Sequence, residues 1–427
     1  MTPSPVERVE PRGLPAGAAL VCAALVAVGL VAFVVGLLRD PATAWRAFHV
    51  NYLYFAGVAQ AGVCLACAFV IIGAHWPGPV RRIAEALGAW VPFTFLLGLI
   101  GYLGGRTYLY EWIEHPLPVK AAWLNEGRVG LVDLGILLVL SLLTLAFLKT
   151  SVRPALHGAA ERTDGWARRL AERWTVNWRG EAEERAAADA RLRRLAPIIC
   201  LVYAFGYTII GFDQVMSLEP TWYSNLFGAY FAWGGFLASV SVTTLLCVLH
   251  RNYPGLEGEL HRGRFHDLGK MIFAFSIFWM YLFFSQYLVI WYGNLPEETH
   301  FLRERLGSAF FQDVWFFTDW WDRVLREPWV KVTLFAWICV WVIPFWCLLG
   351  QRPKRTAWFL GTIASISAFG LWLERNVLVW PSLVPENTWA WLGWVQIGIA
   401  LGFLGGFALV FLTFTRVFPS LALPRRA

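Results

Sequence analysis

The sequence predicts an all-α integral membrane protein with ten transmembrane helices, and three observations support this fold class. Of its 427 residues, 58% are hydrophobic and 15% are charged, which is too apolar for a soluble domain. Ten apolar runs are each long enough to cross the hydrocarbon core, which takes ~20 helical residues. Lys and Arg concentrate in alternate gaps between these runs. The predicted spans one to ten cover residues 16–38, 50–73, 89–110, 128–148, 196–217, 222–249, 268–292, 331–350, 356–379 and 391–415.

The positive charges also predict the orientation. Of the 36 Lys and Arg, 25 lie in the gaps that are cytoplasmic if the N-terminus is inside, and 10 lie in the opposite gaps. Arg106 alone lies well inside a span. Cytoplasmic loops carry the excess of Lys and Arg, so we predict that both termini are cytoplasmic. The net charge of +7 then indicates topology and contact with anionic lipid, and it does not indicate nucleic-acid binding.

A long cytoplasmic connection is predicted at residues 149–195. Trp166, Leu170, Trp174 and Trp178 recur there every four residues, with arginines between them. This spacing predicts an amphipathic helix that lies on the inner leaflet, or alternatively one that docks a partner subunit.

Residues 293–330 form a second amphipathic connection, predicted on the outer (periplasmic) side. Its aromatic cluster is too apolar for a free loop, so we expect it on the membrane surface or against another protein. The cluster contains Trp315, Phe316, Phe317, Trp320 and Trp321.

The spans can be grouped in two ways. The long connection 149–195 divides spans one to four from spans five to ten. Alternatively, spans two to five and six to nine form two four-helix bundles, with spans one and ten as flanking helices. The sequence pattern alone does not decide between these two groupings of a single membrane domain.

Most polar residues within the spans gather in the outer third. An ionisable group at that depth costs several kcal/mol unless it is paired or hydrated. Three interpretations compete: a structural pairing of Arg106 with Asp133 or Asp213, a quinone pocket in which a carboxylate takes protons, and one end of a proton or ion path. The quinone and proton-path candidates are Arg106, Asp133, Asp213, Gln214, Ser285 and Gln286, and Glu374 and Arg375 end span nine.

On the cytoplasmic side, His266, Asp267 and Lys270 stand beside the start of span seven. His266 and Asp267 are placed to cap that helix, where a carboxylate is favourable at the N-terminus. The alternative is that the three residues admit protons.

The sequence predicts that the chain carries no cofactor bound covalently or through a metal. Haem needs axial ligands, usually His, and iron–sulfur clusters usually need four Cys. The seven Cys lie within apolar runs without such spacing, and no metal-spaced His/Glu cluster is evident. A quinol, with menaquinol as the expected species, remains as a ligand.

Two stretches carry a resemblance to a known family. Residues 211–236 contain DQVMSLEPTWYSN, and residues 266–306 contain FSQYLVIWYGN and PEET. They resemble the second polysulfide-reductase-like (NrfD-type) membrane subunit of alternative complex III, a bacterial quinol:electron-acceptor oxidoreductase. The motif-level likeness covers roughly residues 200–330, and elsewhere it rests on the ten-span layout.

The resemblance implies an all-α subunit of two four-helix bundles with two flanking helices, which is the second grouping of the spans. It also implies partners: a homologous NrfD-type membrane subunit, an iron–sulfur subunit, and multihaem and monohaem cytochrome c subunits. In this family, a His and an Asp at the outer ends of neighbouring spans serve quinol oxidation in the other membrane subunit. Asp133 matches the Asp, whereas span three offers Arg106 and no His. That departure favours a scaffold or proton-conducting role over quinol oxidation. The expected share of this chain in a bacterial inner membrane is therefore quinone contact, proton conduction or scaffolding. The alternative is a stand-alone secondary transporter or ion-conducting protein, with its site at the midplane.

Overall fold

The structure, a computed structural model, describes residues 14–74, 76–157, 165–253, 256, 258–307, 329–387 and 389–417, and within these ranges all regular secondary structure is helical. Ten helices are long and apolar enough to cross a membrane, in agreement with the ten predicted spans. They are α1 (Ala16–Arg39), α2 (Pro41–Ile71), α3 (Pro79–Leu109), α4 (Glu126–Leu156), α6 (Glu181–Leu218), α7 (Phe227–Leu249), α8 (Arg262–Gly293), α10 (Val330–Cys347), α11 (Ala357–Leu383) and α12 (Trp394–Arg416). Two shorter helices are α5 (Gly165–Trp174) and α9 (Pro296–Leu306).

Successive spanning helices are antiparallel, so their connections alternate between two faces. We call the face with connections 110–125, 219–226 and 384–393 the site face. The opposite face, towards which the N-terminal end of α1 and the C-terminal end of α12 point, is called the terminal face.

Several helices begin well before the apolar runs. The α2 helix begins at Pro41, because Asp40 caps it by accepting a hydrogen bond from the Thr43 N–H at 3.1 Å. The α8 helix begins at Arg262, and His261 is its cap, accepting from the Gly263 N–H at 3.1 Å. The predicted cap at His266 and Asp267 is therefore wrong. A polar first turn extends the helix beyond its apolar part, so both residues lie inside the helix.

The α2 helix lies at the centre of the packing. Of an 18-residue stretch within it, 83% is buried, the largest share among the ten helices. It contacts α3, α6, α7, α11 and α12. The α1 helix packs chiefly along α12, and a Cβ added to Gly29 would lie only 2.4 Å from the Gly402 Cα. Both positions therefore need glycine for the two backbones to approach.

The amphipathic helix within the connection 149–195 is shorter than the aromatic spacing predicts. The α5 helix ends at Trp174, and Asn177 follows in the left-handed region at φ 60°. Trp178 therefore lies beyond the helix and stacks on His157, with ring centroids 3.9 Å apart. In the other connection, α9 is described, whereas the predicted aromatic cluster at 315–321 lies outside the described residues.

Candidate functional site

The structure brings three of the predicted site residues together near the site face. Asp133 of α4 and Asp213 and Gln214 of α6 are all buried, with exposed fractions of 3%, 0% and 8%. The packing of α4 along α6 produces this arrangement. We call these three residues, with His49, Tyr52 and Tyr110, the acid cluster.

Asp213 is an acid whose two oxygens both have partners. Its Oδ1 accepts a hydrogen bond from Trp123 Nε1 at 2.8 Å, and its Oδ2 is paired with the Arg128 guanidinium. The Arg128 guanidinium also lies over the Trp123 ring, 3.7 Å from its centroid. Asp213 is therefore neutralised by a cation that enters from the start of α4.

Asp133 is held in a different way. Its Oδ2 accepts a hydrogen bond from Gln214 Nε2 at 2.9 Å, while its buried Oδ1 receives none from the described residues. The Asp133 and Asp213 carboxyls are close enough to interact electrostatically and to share a hydrogen bond when one of them is protonated. The cluster thus contains two acids and one arginine, and one proton can be held between the two carboxyls.

His49 is one of the cluster residues that the sequence analysis missed, together with Tyr52 and Tyr110. It lies near the start of α2, is 5% exposed, and its Nε2 is 2.8 Å from the backbone oxygen of Gln214. It was missed because the predicted second span began at residue 50 and placed His49 outside the membrane. A signal was present, since His49 and Tyr52 are three residues apart and share a helix face.

Two tyrosines complete the cluster. The His49 ring centroid lies 6.2 Å from that of Tyr52 and 6.4 Å from that of Tyr110. Both tyrosines are 4% exposed and within electrostatic reach of Asp133. The cluster therefore combines a histidine, two phenols, an amide and two carboxyls, a set of groups able to exchange protons and to hydrogen-bond a small polar ligand.

A groove of about 620 Å³ lies beside the acid cluster, between α3 and α4. Leu103, Leu131 and Leu134 are among its mainly apolar lining residues, and Tyr102 and Arg106 line it as well. The Tyr102 ring packs on Gly130, where an added Cβ would lie 2.7 Å from the ring. Tyr102 lines the groove and is also close enough to Asp133 to interact with it electrostatically. Its ring therefore lies between the groove and the cluster.

Arg106 pairs with a residue other than the two expected. Its Nε lies 3.1 Å from Glu126 Oε2, and the two side chains are 31% and 47% exposed. The expected pairing of Arg106 with Asp133 or Asp213 is therefore wrong. The start of α4 carries both Glu126 and Arg128, and Arg128 is the residue that reaches inward to Asp213.

The remaining predicted residues lie elsewhere. Gln286 of α8 is buried and accepts a hydrogen bond from Ser224 Oγ at 3.0 Å, while Ser285 beside it is partly exposed. On the terminal face, Lys270 pairs with Asp267 at 2.6 Å within α8, and His266 is one residue away. Neither group is part of the acid cluster.

Another buried acid, Glu374, lies on α11 next to Arg375. Glu374 Oε2 is 3.2 Å from Arg375 Nη1, and both residues are 3% exposed. Arg375 Nη2 also donates to the backbone oxygen of Phe231 at 2.7 Å. This pair contains one acid and one arginine.

Among the described residues, one group has the geometry of metal ligands: Glu219, His300 and Glu304, whose potential ligand atoms all lie within 4.8 Å of one another. The sequence analysis did not identify it, although His300 and Glu304 have the i, i+4 spacing that places two ligands on one helix face. Glu219 is remote in sequence.

No protein-family model matches this chain, and no curated protein matches it. The geometry and the sequence motifs therefore carry the functional argument.

Proposed function

We propose that the chain is a membrane subunit of a bacterial quinol:cytochrome c (electron acceptor) oxidoreductase, and that it contacts quinol at the acid cluster. The observation that carries this proposal is the pair of buried acids Asp133 and Asp213, which share one arginine and lie with His49 near an apolar groove. The motifs at residues 211–236 and 266–306 that resemble the second NrfD-type subunit of alternative complex III support membership of such a complex, and the quinol contact rests on the acid cluster.

The groove suits a ligand with an apolar tail and a polar head. It is an open groove of about 620 Å³, and its lining residues lie beside the acid cluster without belonging to it. A quinol tail would lie along the leucines, and the head would approach the cluster past Tyr102. The phenols and Gln214 are placed to hold the ring hydroxyls by hydrogen bonds.

Quinol oxidation releases two protons and two electrons. In this proposal, His49 and Asp133 accept the protons, since each has a site at which a proton can be bound. The electrons leave through the iron–sulfur and cytochrome c subunits that the resemblance implies. The share of this chain is therefore quinol contact and proton conduction, and it also serves as a scaffold for those partners.

The proposal includes the topology. Both termini are placed in the cytoplasm by the excess of Lys and Arg, so the acid cluster faces the outside of the bacterial inner membrane. Packing of α2 with α3 and α6, and of α7 with α8 and α11, supports two four-helix bundles with α1 and α12 as flanking helices.

A stand-alone transporter is the competing function. A transporter site is expected at the midplane between broken helices. The α10 helix does contain a five-residue π-helical stretch, Ile338–Val342, but Asp133 and Asp213 lie near the site face.

The test is purification in mild detergent followed by quinol-dependent reduction of cytochrome c, measured per assembled complex. Asp133→Asn keeps the Gln214 hydrogen bond and removes the proton-accepting carboxylate. We expect assembly with the iron–sulfur and haem absorbance of the wild type, and an activity lower by ~10²-fold or more.

The matched control is Asp267→Asn, an acid on the terminal face that is 32% exposed and paired with Lys270. Its activity should stay close to that of the wild type. A colourless monomer that responds to a transported substrate would refute the complex. Full activity of Asp133→Asn per assembled complex would refute the role of the cluster.

A further inference from the structure

The residues Glu219, His300 and Glu304, called here the Glu–His–Glu group, lie near the site face and outside the acid cluster. Glu219 follows the end of α6, and the other two lie one turn apart on α9. His300 Nε2 is 3.5 Å from Glu304 Oε1. All three offer a ligand atom to a common space, with mutual separations within 4.8 Å.

Glu219 is the buried member of the group, with 9% of its surface exposed. Its Oε1 accepts hydrogen bonds from Ser382 Oγ at 2.5 Å and from Arg305 Nη1 at 3.3 Å. Its buried Oε2 receives none from the described residues. A buried carboxylate oxygen without a donor is costly, so it indicates a partner, which is either a proton shared with Glu304 or a bound cation.

Glu304 increases the local negative charge. Its buried Oε2 also lacks a hydrogen bond from the described residues. Burial and the neighbouring Glu219 both disfavour a second negative charge at this place. A bound cation would remove this conflict.

The Arg305 guanidinium neutralises the two carboxylates only in part. Its Nε and Nη2 donate to the backbone oxygens of Val377 and Leu378, each at 3.0 Å, and Nη2 also donates to Ser382 Oγ at 2.6 Å. Most of its donors therefore anchor α9 to the end of α11. Only Nη1 reaches the acids, 3.3 Å from Glu219 Oε1 and 3.8 Å from Glu304 Oε2.

The scaffold around the group is well packed. Trp222 stacks on Phe301 of α9 with ring centroids 3.8 Å apart, and its Nε1 donates to the Glu298 backbone oxygen at 2.9 Å. Glu219 and α9 are thus held in fixed relation. His300 is 59% exposed and gives solvent access to the group.

We propose that the Glu–His–Glu group binds one divalent transition-metal ion, with Zn²⁺ as the reference ion. One imidazole and two carboxylates form a ligand set that Zn²⁺ accepts, with a fourth position left for water. The imidazole favours a transition metal over Mg²⁺ and Ca²⁺, which prefer oxygen ligands. The ion would tie the end of α6 to α9.

The test uses the full chain, with the subunits that co-purify, in detergent after chelator treatment. Zn²⁺ is titrated by calorimetry, and the bound metal is measured by elemental analysis. We expect one Zn²⁺ per chain, and an affinity lower by roughly tenfold or more in His300→Ala and in Glu304→Gln. The exposed His300 is the preferred variant, because its loss leaves the packing of α9 intact.

The controls are Glu297→Gln, on the same helix outside the group, and His115→Ala, an exposed histidine elsewhere on the site face. Both should bind Zn²⁺ as the wild type does. As a second readout, Zn²⁺ should raise the thermal unfolding temperature of the wild type and of both controls, but not that of His300→Ala.

Several outcomes would overturn the site: no Zn²⁺ bound by the wild type, equal affinity in His300→Ala, or an equal loss in the controls. Displacement of Zn²⁺ by an equal concentration of Mg²⁺ would overturn the transition-metal assignment. The inference is independent of the proposed quinol chemistry, because Asp133→Asn should bind Zn²⁺ normally.

Discussion

The acid cluster and the Glu374–Arg375 pair are two buried acid–arginine groups with different charge balance. The acid cluster sets Asp133 and Asp213 against Arg128, while the pair on α11 sets one acid against one arginine. Asp213 has partners at both oxygens, whereas Asp133 has one oxygen without a donor among the described residues.

The surroundings of the two groups differ as well. The acid cluster includes His49 and borders the groove between α3 and α4. The Glu374–Arg375 pair is enclosed by Tyr230 and Phe231 of α7, and Gly234 leaves room for it: an added Cβ there would lie 3.0 Å from Arg375 Nη2. An enclosed pair of one acid and one arginine holds helices together, whereas two acids that share one arginine near an open groove are suited to proton exchange.

The largest expected effect concerns the balanced pair. Arg375→Met leaves the Glu374 carboxylate buried without its cation, for which ~3–5 kcal/mol of destabilisation is typical. Thermal unfolding and the yield of assembled protein measure this loss. The double variant Glu374→Gln, Arg375→Met should recover much of it, because no isolated charge then remains. A double variant as unstable as Arg375→Met would show that the two residues act separately.

The next effect concerns His49. The substitution His49→Gln keeps a donor for the Gln214 backbone oxygen and removes the titratable ring, so we expect normal assembly and quinol-dependent activity lower by ~10²-fold. His250→Gln is the matched control, since His250 is also buried and has its Nδ1 2.8 Å from a backbone oxygen, that of Leu246. Equal activity in the two variants would exclude His49 from the chemistry.

The smallest effect is expected at Arg106. Arg106 and Glu126 are both partly exposed, and such pairs contribute ~0–1 kcal/mol, so Arg106→Leu should change thermal stability little. Arg128→Leu should cost more, since it removes the cation that neutralises buried Asp213. Unfolding of the two variants side by side tests the pairing. A greater loss for Arg106→Leu would place Arg106 at the acids after all.

Part of the acid cluster could be found from the sequence. Asp133, Asp213 and Gln214 stood out because charges and amides are rare in apolar runs, and their similar depth follows from antiparallel helices. Their partners did not stand out. Arg106 pairs with Glu126, which is only two residues from Arg128, so depth could not decide which of the two arginines meets Asp213. The rotation of α4 decides it, because it places Arg128 inward and Glu126 outward.

The sequence by itself determined the ten predicted crossings, because the length of an apolar run is a local property and alone decides whether a helix can span the hydrocarbon core. Caps such as Asp40 and His261 then moved the helix starts by several residues. Only the tertiary structure decided which side chains meet. His49 contacts Gln214 across 165 residues, and Glu219 meets an i, i+4 pair on α9. Such contacts depend on the rotation and packing of whole helices, which neither hydropathy nor the charge pattern of the loops specifies.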